Sequence, residues 1–273
     1  MTQLKLSHSA ALAASMTAAR KAGALMRQNQ TLAKKINSAT QMDIKLELDV
    51  RCQKLIEANL RRFAPGVAIL GEEGTSGDAD AAYRWVIDPI DGTVNFTYGI
   101  PHACVSIALE RKVSPAGGRR GATVEPGYET VTGLVYDPFC DEMFSAIRGQ
   151  SARLNGQRIG VSKRAQLNEA ILSLGFSKEP SSMARMMPTF TSLLPQIRKV
   201  RIMGAAALAM VYVASGRMDA YLEYGLSWWD VAAGGLILEC AGGDFWRRPL
   251  AQEHTCQILA SNGLLRKKLL RYY

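Results

Sequence analysis

Apolar positions recur at helical spacing over residues 8–29, where Ala, Leu and Met alternate with Arg, Lys and Gln. A stripe of that period is buried on one face of a helix. A second helix is predicted over 43–62, ending ahead of Pro65-Gly66. Short apolar runs then replace the helical period. Residues 67–70 and 85–87 read as buried strands. The first stops at Gly71-Glu72-Glu73-Gly74 and gives way to a polar loop over 75–80; the second stops at Asp88-Pro89-Ile90-Asp91-Gly92-Thr93. Strands at 103–109 and 132–136 are joined by a long loop, 114–130, rich in Gly, Pro and charge. Residues 144–146 continue the sheet, and 149–156 form a turn.

The second half shows strands at 171–175, 201–203 and 219–223, and helices at 183–194, 205–215 and 229–240, the last closed by Gly242-Gly243. No repeat of 20–50 residues occurs. The mixture predicts an α/β layered fold with a boundary near 145–155: an α+β half over 1–150 and an α/β half over 151–273, together one compact unit.

Composition narrows the picture. The chain has 273 residues, 48% hydrophobic and 21% charged, which excludes a disordered or collagenous protein. Its net charge of +9 favours anionic partners such as phosphate esters. The basic residues are scattered in short groups, so a nucleic-acid contact is permitted by the charge and supported by no motif. Five cysteines without a C-x-x-C pair, and three histidines, argue against a disulfide framework or a zinc site. The apolar run over 10–14 is too short for a signal peptide, and no apolar stretch is long enough to span a membrane, so a cytoplasmic protein is expected.

The carboxylates carry the chemistry. Glu72-Glu73 and Asp88/Asp91 both follow buried strands, at the ends where α/β sheets hold ligands. Pro89 stiffens the turn, and Gly92 allows close backbone approach. Converging acidic groups repel unless a cation joins them, and oxygen-only ligands point to Mg²⁺. More than one ion suits phosphoryl transfer. The alternative is a turn with Asp caps.

The segment Trp85-Val86-Ile87-Asp88-Pro89-Ile90-Asp91-Gly92-Thr93-Val94-Asn95-Phe96 resembles the signature of the inositol monophosphatase family. Gly71-Glu72-Glu73 resembles its upstream acidic motif. Trp229-Asp230-Val231-Ala232-Ala233-Gly234, followed by Glu239-Cys240-Ala241-Gly242-Gly243, resembles its C-terminal signature. The three stand in family order, and the similarity runs from about residue 10 to about 265.

The resemblance implies an alternating α-β-α-β-α sandwich, usually a homodimer, that hydrolyses phosphate monoesters with two or three Mg²⁺ ions and is inhibited by Li⁺. Carried over by position, Glu72, Asp88 and the Ile90 carbonyl bind the first ion, and Asp88, Asp91 and Asp230 the second. Asp49 orients the Thr93 hydroxyl, and Thr93 with Glu72 activates the attacking water. The amides of Gly92 and Thr93 hold phosphate oxygens. Gly204, Ala206, Glu223 and Asp230 face the leaving group, and Trp228 and Trp229 are packing residues. Ala205 stands where the family often has Thr or Ser, and Leu46 where it often has Thr, between Asp43 and Asp49.

Cousins in the superfamily hydrolyse fructose 1,6-bisphosphate, adenosine 3′,5′-bisphosphate or histidinol phosphate; Asn95-Phe96 after the Asp-Gly-Thr core resembles the inositol branch. Some bacterial relatives also bind the transcription and ribosomal RNA machinery, which is the alternative to an enzyme here.

Overall fold

The computed structural model describes residues 6–31, 36–39, 44–113, 124–125, 127–176 and 179–273. The first expected helix is α1 (His8–Asn29), started by the Ser7 hydroxyl, which accepts from the Ala10 amide. Its buried face is small, chiefly Ala11, Ala18, Ala19, Ala22 and Gly23, so it lies close to the sheet beneath. A Cβ on Gly23 would come within 2.6 Å of the Tyr136 ring. The hairpin of β1 (Ile36–Ala39) and β2 (Ile44–Leu46) leads into α2 (Glu47–Phe63). The sequence places that helix start at 43. Residue 43 lies outside the described residues, and 44–46 are paired as a strand because Asp49 accepts the Leu46 amide at 2.7 Å and begins the helix there.

Among the described residues a nine-stranded sheet follows. It is built from β3 (Ala68–Gly71), β4 (Gly74–Ser76), β5 (Tyr83–Asp91), β6 (Cys104–Lys112), β7 (Val124–Glu125), β8 (Tyr128–Asp137), β9 (Glu142–Ile147), β10 (Arg153–Leu154) and β11 (Gln157–Arg158). Between β5 and β6 lies the short helix α3 (Thr93–Thr97). Spatial order is β11-β10-β9-β8-β6-β5-β3-β4, with β7 on β8; only the β3–β5 pairing is parallel. Residues 75 and 76, expected in the polar loop, pair together with Gly74 as the edge strand β4. Of the long loop over 114–130, residues 114–123 and 126 lie outside the described residues; 124–125 and 128–130 are strand. The predicted turn closes β10 to β11 through Asn155 (φ 47°) and Gly156 (φ 83°), the left-handed pair that a two-residue hairpin requires.

A second sheet holds β12 (Ile171–Phe176), β13 (Lys199–Arg201), β14 (Ala220–Ser227), β15 (Asp244–Pro249) and β16 (Thr255–Ser261), in the order β13-β12-β14-β16-β15. The helices of this half are α4 (Pro180–Leu193), α5 (Ala206–Ala214), α6 (Trp228–Cys240) and α7 (Arg266–Leu269). Sequence reading assigned nothing after residue 243; β15, β16 and α7 lie there.

Period-two alternation builds the layers. On β6, Val105, Ile107 and Leu109 face a core shared with α1 and α2, while Cys104 and Ala108 face the core of α5 and α6. On the second sheet, Leu172, Leu174, Leu222 and Leu259 pack under α4 and α7, while Tyr221, Ile258 and Ala260 face α5 and α6. The order is therefore α1/α2, first sheet, α5/α6, second sheet, α4/α7: the α-β-α-β-α sandwich. Contact is close at Gly133 on β8, where a Cβ would stand 2.7 Å from the Ala233 carbonyl of α6. No helix among the described residues is long and apolar enough to cross a membrane.

Candidate active site

The site forms where the ends of β3 and β5 meet the N-termini of α5 and α6. Parallel pairing sets Gly71 beside Ile87, and the Glu72 amide donates to the Ile87 carbonyl at 3.1 Å. Glu72 thus stands next to Asp88. Gln53 of α2 braces this corner: its Oε1 accepts the Glu73 amide at 2.9 Å and its Nε2 donates to the Gly74 carbonyl at 3.0 Å. A Cβ at Gly71 would collide with the Gln53 amide.

In a regular strand, residues three apart point to opposite faces. The β5–β6 register slips between Asp88 and Asp91, where Pro89 has no amide hydrogen to donate. The Asp88 carboxylate accepts the Ile90 amide at 3.0 Å and stiffens the irregularity. Both aspartates are buried and turned toward the helix layer, Asp88 at 2% and Asp91 at 8% exposure. Asp91 caps α5: Oδ1 accepts the Ala206 amide at 3.0 Å and Oδ2 the Ala207 amide at 2.7 Å, with the Cys104 thiol at 3.5 Å. Gly92 has φ +92°, and a Cβ there would lie 2.9 Å from the His102 carbonyl. Asp230 accepts the Ser227 amide at 2.8 Å in the first turn of α6. Trp228 is fully buried and donates its indole N–H to Glu110 at 2.9 Å, a packing role as expected.

The carboxyls perturb one another. Burial raises Asp88 well above the carboxylate range, and the charges of Glu72, Asp91 and Asp230 push it the same way. Burial raises Asp230, helped by Glu72, Asp91 and Glu223. Asp91 rises to about 6 through burial, opposed by the α5 amides. Glu223 of β14 rises to about 7, again through burial, with Asp91 adding to it and the Tyr221 hydroxyl opposing. Five acidic side chains from four segments are thereby brought into one electrostatic unit.

Other expected residues sit differently. The Thr93 hydroxyl donates to the Ile90 carbonyl at 2.8 Å, and Asp49, buried at 3% exposure, caps α2. The Ala206 amide, expected to face a leaving group, is engaged with Asp91. Gly204 turns the chain into α5 with φ +74°. Gln53, Cys104, Tyr221 and Gly175 escaped the sequence reading. Tyr221 donates to the Glu223 carboxylate, and a Cβ on Gly175 would overlap it. Only the missing side chain at 175, directly across the ladder from 223, signals this in hindsight.

Among the described residues no three acidic, His or Cys side chains stand as a ready-made metal cage. The donor chemistry fits a hard divalent cation all the same. The ligands available are carboxylates, they are buried, and their mutual repulsion is what a cation relieves.

The layered sandwich defines a class shared with solved proteins. The extragenic suppressor protein suhB from Bartonella henselae superposes with a TM-score of 0.84 at 30% identity, covering 96% of this chain and 97% of that one. The inositol monophosphatase family model matches residues 8–267, and the chain belongs to that family. Among curated relatives, Nus factor SuhB of Pseudomonas aeruginosa is 42% identical over 214 residues, 76% of this chain and 73% of that protein. Inositol-1-monophosphatase of Mesorhizobium japonicum is 33% identical over 229 residues, 82% and 80% of the two chains.

Proposed function

We propose that the chain is a Mg²⁺-dependent phosphomonoesterase acting on a cyclitol or sugar monophosphate such as myo-inositol 1-phosphate. The observation that carries this is the set of buried, raised carboxyls of Asp88, Asp91, Asp230 and Glu223, with the charge of Glu72 pushing Asp88 and Asp230 up, in a chain of this family. Glu72, Asp88, the Ile90 carbonyl, Asp91 and Asp230 would hold two ions, with a third, weaker one at Glu72. Bound there, Mg²⁺ supplies charge for the phosphate oxygens and lowers the pKa of the attacking water. The residues do the rest. Glu72 and Thr93 orient the water, the Gly92 and Thr93 amides receive phosphate oxygens, and Glu223 accepts hydroxyls of the departing alcohol. A homodimer, inhibition by Li⁺ and a cytoplasmic setting belong to this reading.

The test is phosphate release with Mg²⁺, with and without Li⁺, from myo-inositol 1-phosphate, fructose 1,6-bisphosphate, adenosine 3′,5′-bisphosphate and histidinol phosphate. Li⁺-suppressed preference for the inositol ester is expected. No release from any of them overturns the reading. A second role is favoured by one observation: the 42%-identical relative is called a Nus factor. Co-purification with transcription-elongation components, retained in an inactive Asp88→Asn variant, would separate that role from catalysis.

A further inference from the structure

We infer that Asn95 is a positioning residue: its side-chain amide ties the turn ahead of α5 to the loop after Gly92-Thr93, and through α5 it fixes the Asp91 carboxylate. Nδ2 donates to the Met203 carbonyl at 2.7 Å and to the His102 carbonyl at 2.9 Å, with the Gly204 carbonyl at 3.4 Å. These acceptors belong to segments far apart in the chain. A Cβ on Gly204 would lie 3.3 Å from Nδ2, so the turn is in close contact with the amide. Two and three residues on, Ala206 and Ala207 give their amides to the two oxygens of Asp91. One side-chain amide, one turn and two helix-terminal amides therefore connect Asn95 to a carboxylate.

The chemistry demands an amide. An NH₂ group donates two hydrogen bonds at once, a hydroxyl donates one, and a carboxylate would set oxygen against oxygen. The sequence treats Asn95-Phe96 as a mark of the substrate branch. In the structure Phe96 is fully buried in the α1/α2 core, and the amide nitrogen of Asn95 is committed to backbone carbonyls. The pair acts on the scaffold of the site.

This inference rests on the proposed phosphatase reading, and the experiment separates the two. Wild type, Asn95→Ala, Asn95→Ser and Val94→Ala, an exposed neighbour on α3, are compared. Apparent Mg²⁺ affinity is read from the metal-dependent shift in thermal unfolding without substrate; kcat and KM are read on the same four esters. Asn95→Ala is expected to weaken Mg²⁺ binding by about 10–100-fold, the usual cost of losing a group that orients a metal ligand. Its kcat should fall by a common factor on every ester that wild type cleaves, with their order of preference kept. Asn95→Ser should lose less, and Val94→Ala should match wild type. Unchanged Mg²⁺ affinity in folded Asn95→Ala overturns the inference, as does altered ester preference with Mg²⁺ affinity kept. If Asn95→Ala does not fold, the serine variant is judged by the same criteria. A wild type without a Mg²⁺-dependent shift and without turnover removes the phosphatase reading, and this inference with it.

Discussion

The two sheets contribute to the site in different ways. The first supplies Glu72, Asp88 and Asp91 from the ends of two neighbouring strands, each position dictated by a local motif and one parallel pairing. The second supplies Glu223 from mid-strand, and its carboxylate is placed by Tyr221 two residues before it and by the bare backbone of Gly175 on the neighbouring strand. On the proposed function, local chain geometry makes most of the side that would hold metal, with Asp230 added from the first turn of α6, and tertiary packing makes the side that would face the leaving group. The first should be sensitive to a single ligand, the second to the shape around one.

That contrast can be broken most sharply at Asp88. Asp88→Asn should lower turnover by more than about 100-fold, beyond the range set by supporting groups around a metal. It should also raise the melting temperature of the metal-free protein, because a neutral amide replaces a buried carboxyl whose ionisation the fold opposes. Near-normal turnover would overturn the proposed role of Asp88 as a metal ligand. Asp91→Asn differs in kind. The carboxylate accepts two helix amides, one on each oxygen, and an amide side chain can satisfy only one. A stability loss of about 1–3 kcal/mol should accompany the loss of turnover, measured by urea unfolding.

The pH response sharpens the same point. Asp91, with a pKa raised to about 6, and Glu223, raised to about 7, hold protons in the folded state that the unfolded chain has released. A folded pKa above the unfolded one means stability falls as pH climbs from about 4 through about 7. Urea titrations in EDTA should show the decline, and Mg²⁺ should flatten it. An EDTA-treated protein equally stable at pH 5 and pH 8 would contradict the electrostatic unit.

The smallest effect belongs to the second sheet. Gly175→Ala should displace Glu223 and raise KM for a cyclitol ester about tenfold, with Mg²⁺ affinity intact. A drop in kcat at unchanged KM would place Glu223 on the metal side instead.

What the sequence revealed follows the same division. The strands before Glu72 and Asp88, the first helix and the α-β alternation were readable because each depends on neighbours a few residues away. The start of α2 was misplaced because Asp49 acts as a cap, which periodicity does not register. The last strands were missed because β15 carries Arg247 and Arg248 among its apolar residues and is defined mainly by pairing with β16. Gln53, Tyr221 and Gly175 were invisible for a similar reason: each matters through something it touches across the fold.

The shared layer of α5 and α6 has a consequence for how the chain is made. The inner face of the first sheet is covered by α6, whose residues 228–240 follow the last strand of that sheet, β11, by some seventy positions. A chain emerging from the ribosome therefore completes an apolar sheet well before it has the helix that shields it. That interval is when strand edges and bare faces find wrong partners, and fusing a slowly translated segment between β11 and α5 should lower the yield of native protein more than the same segment placed after α7.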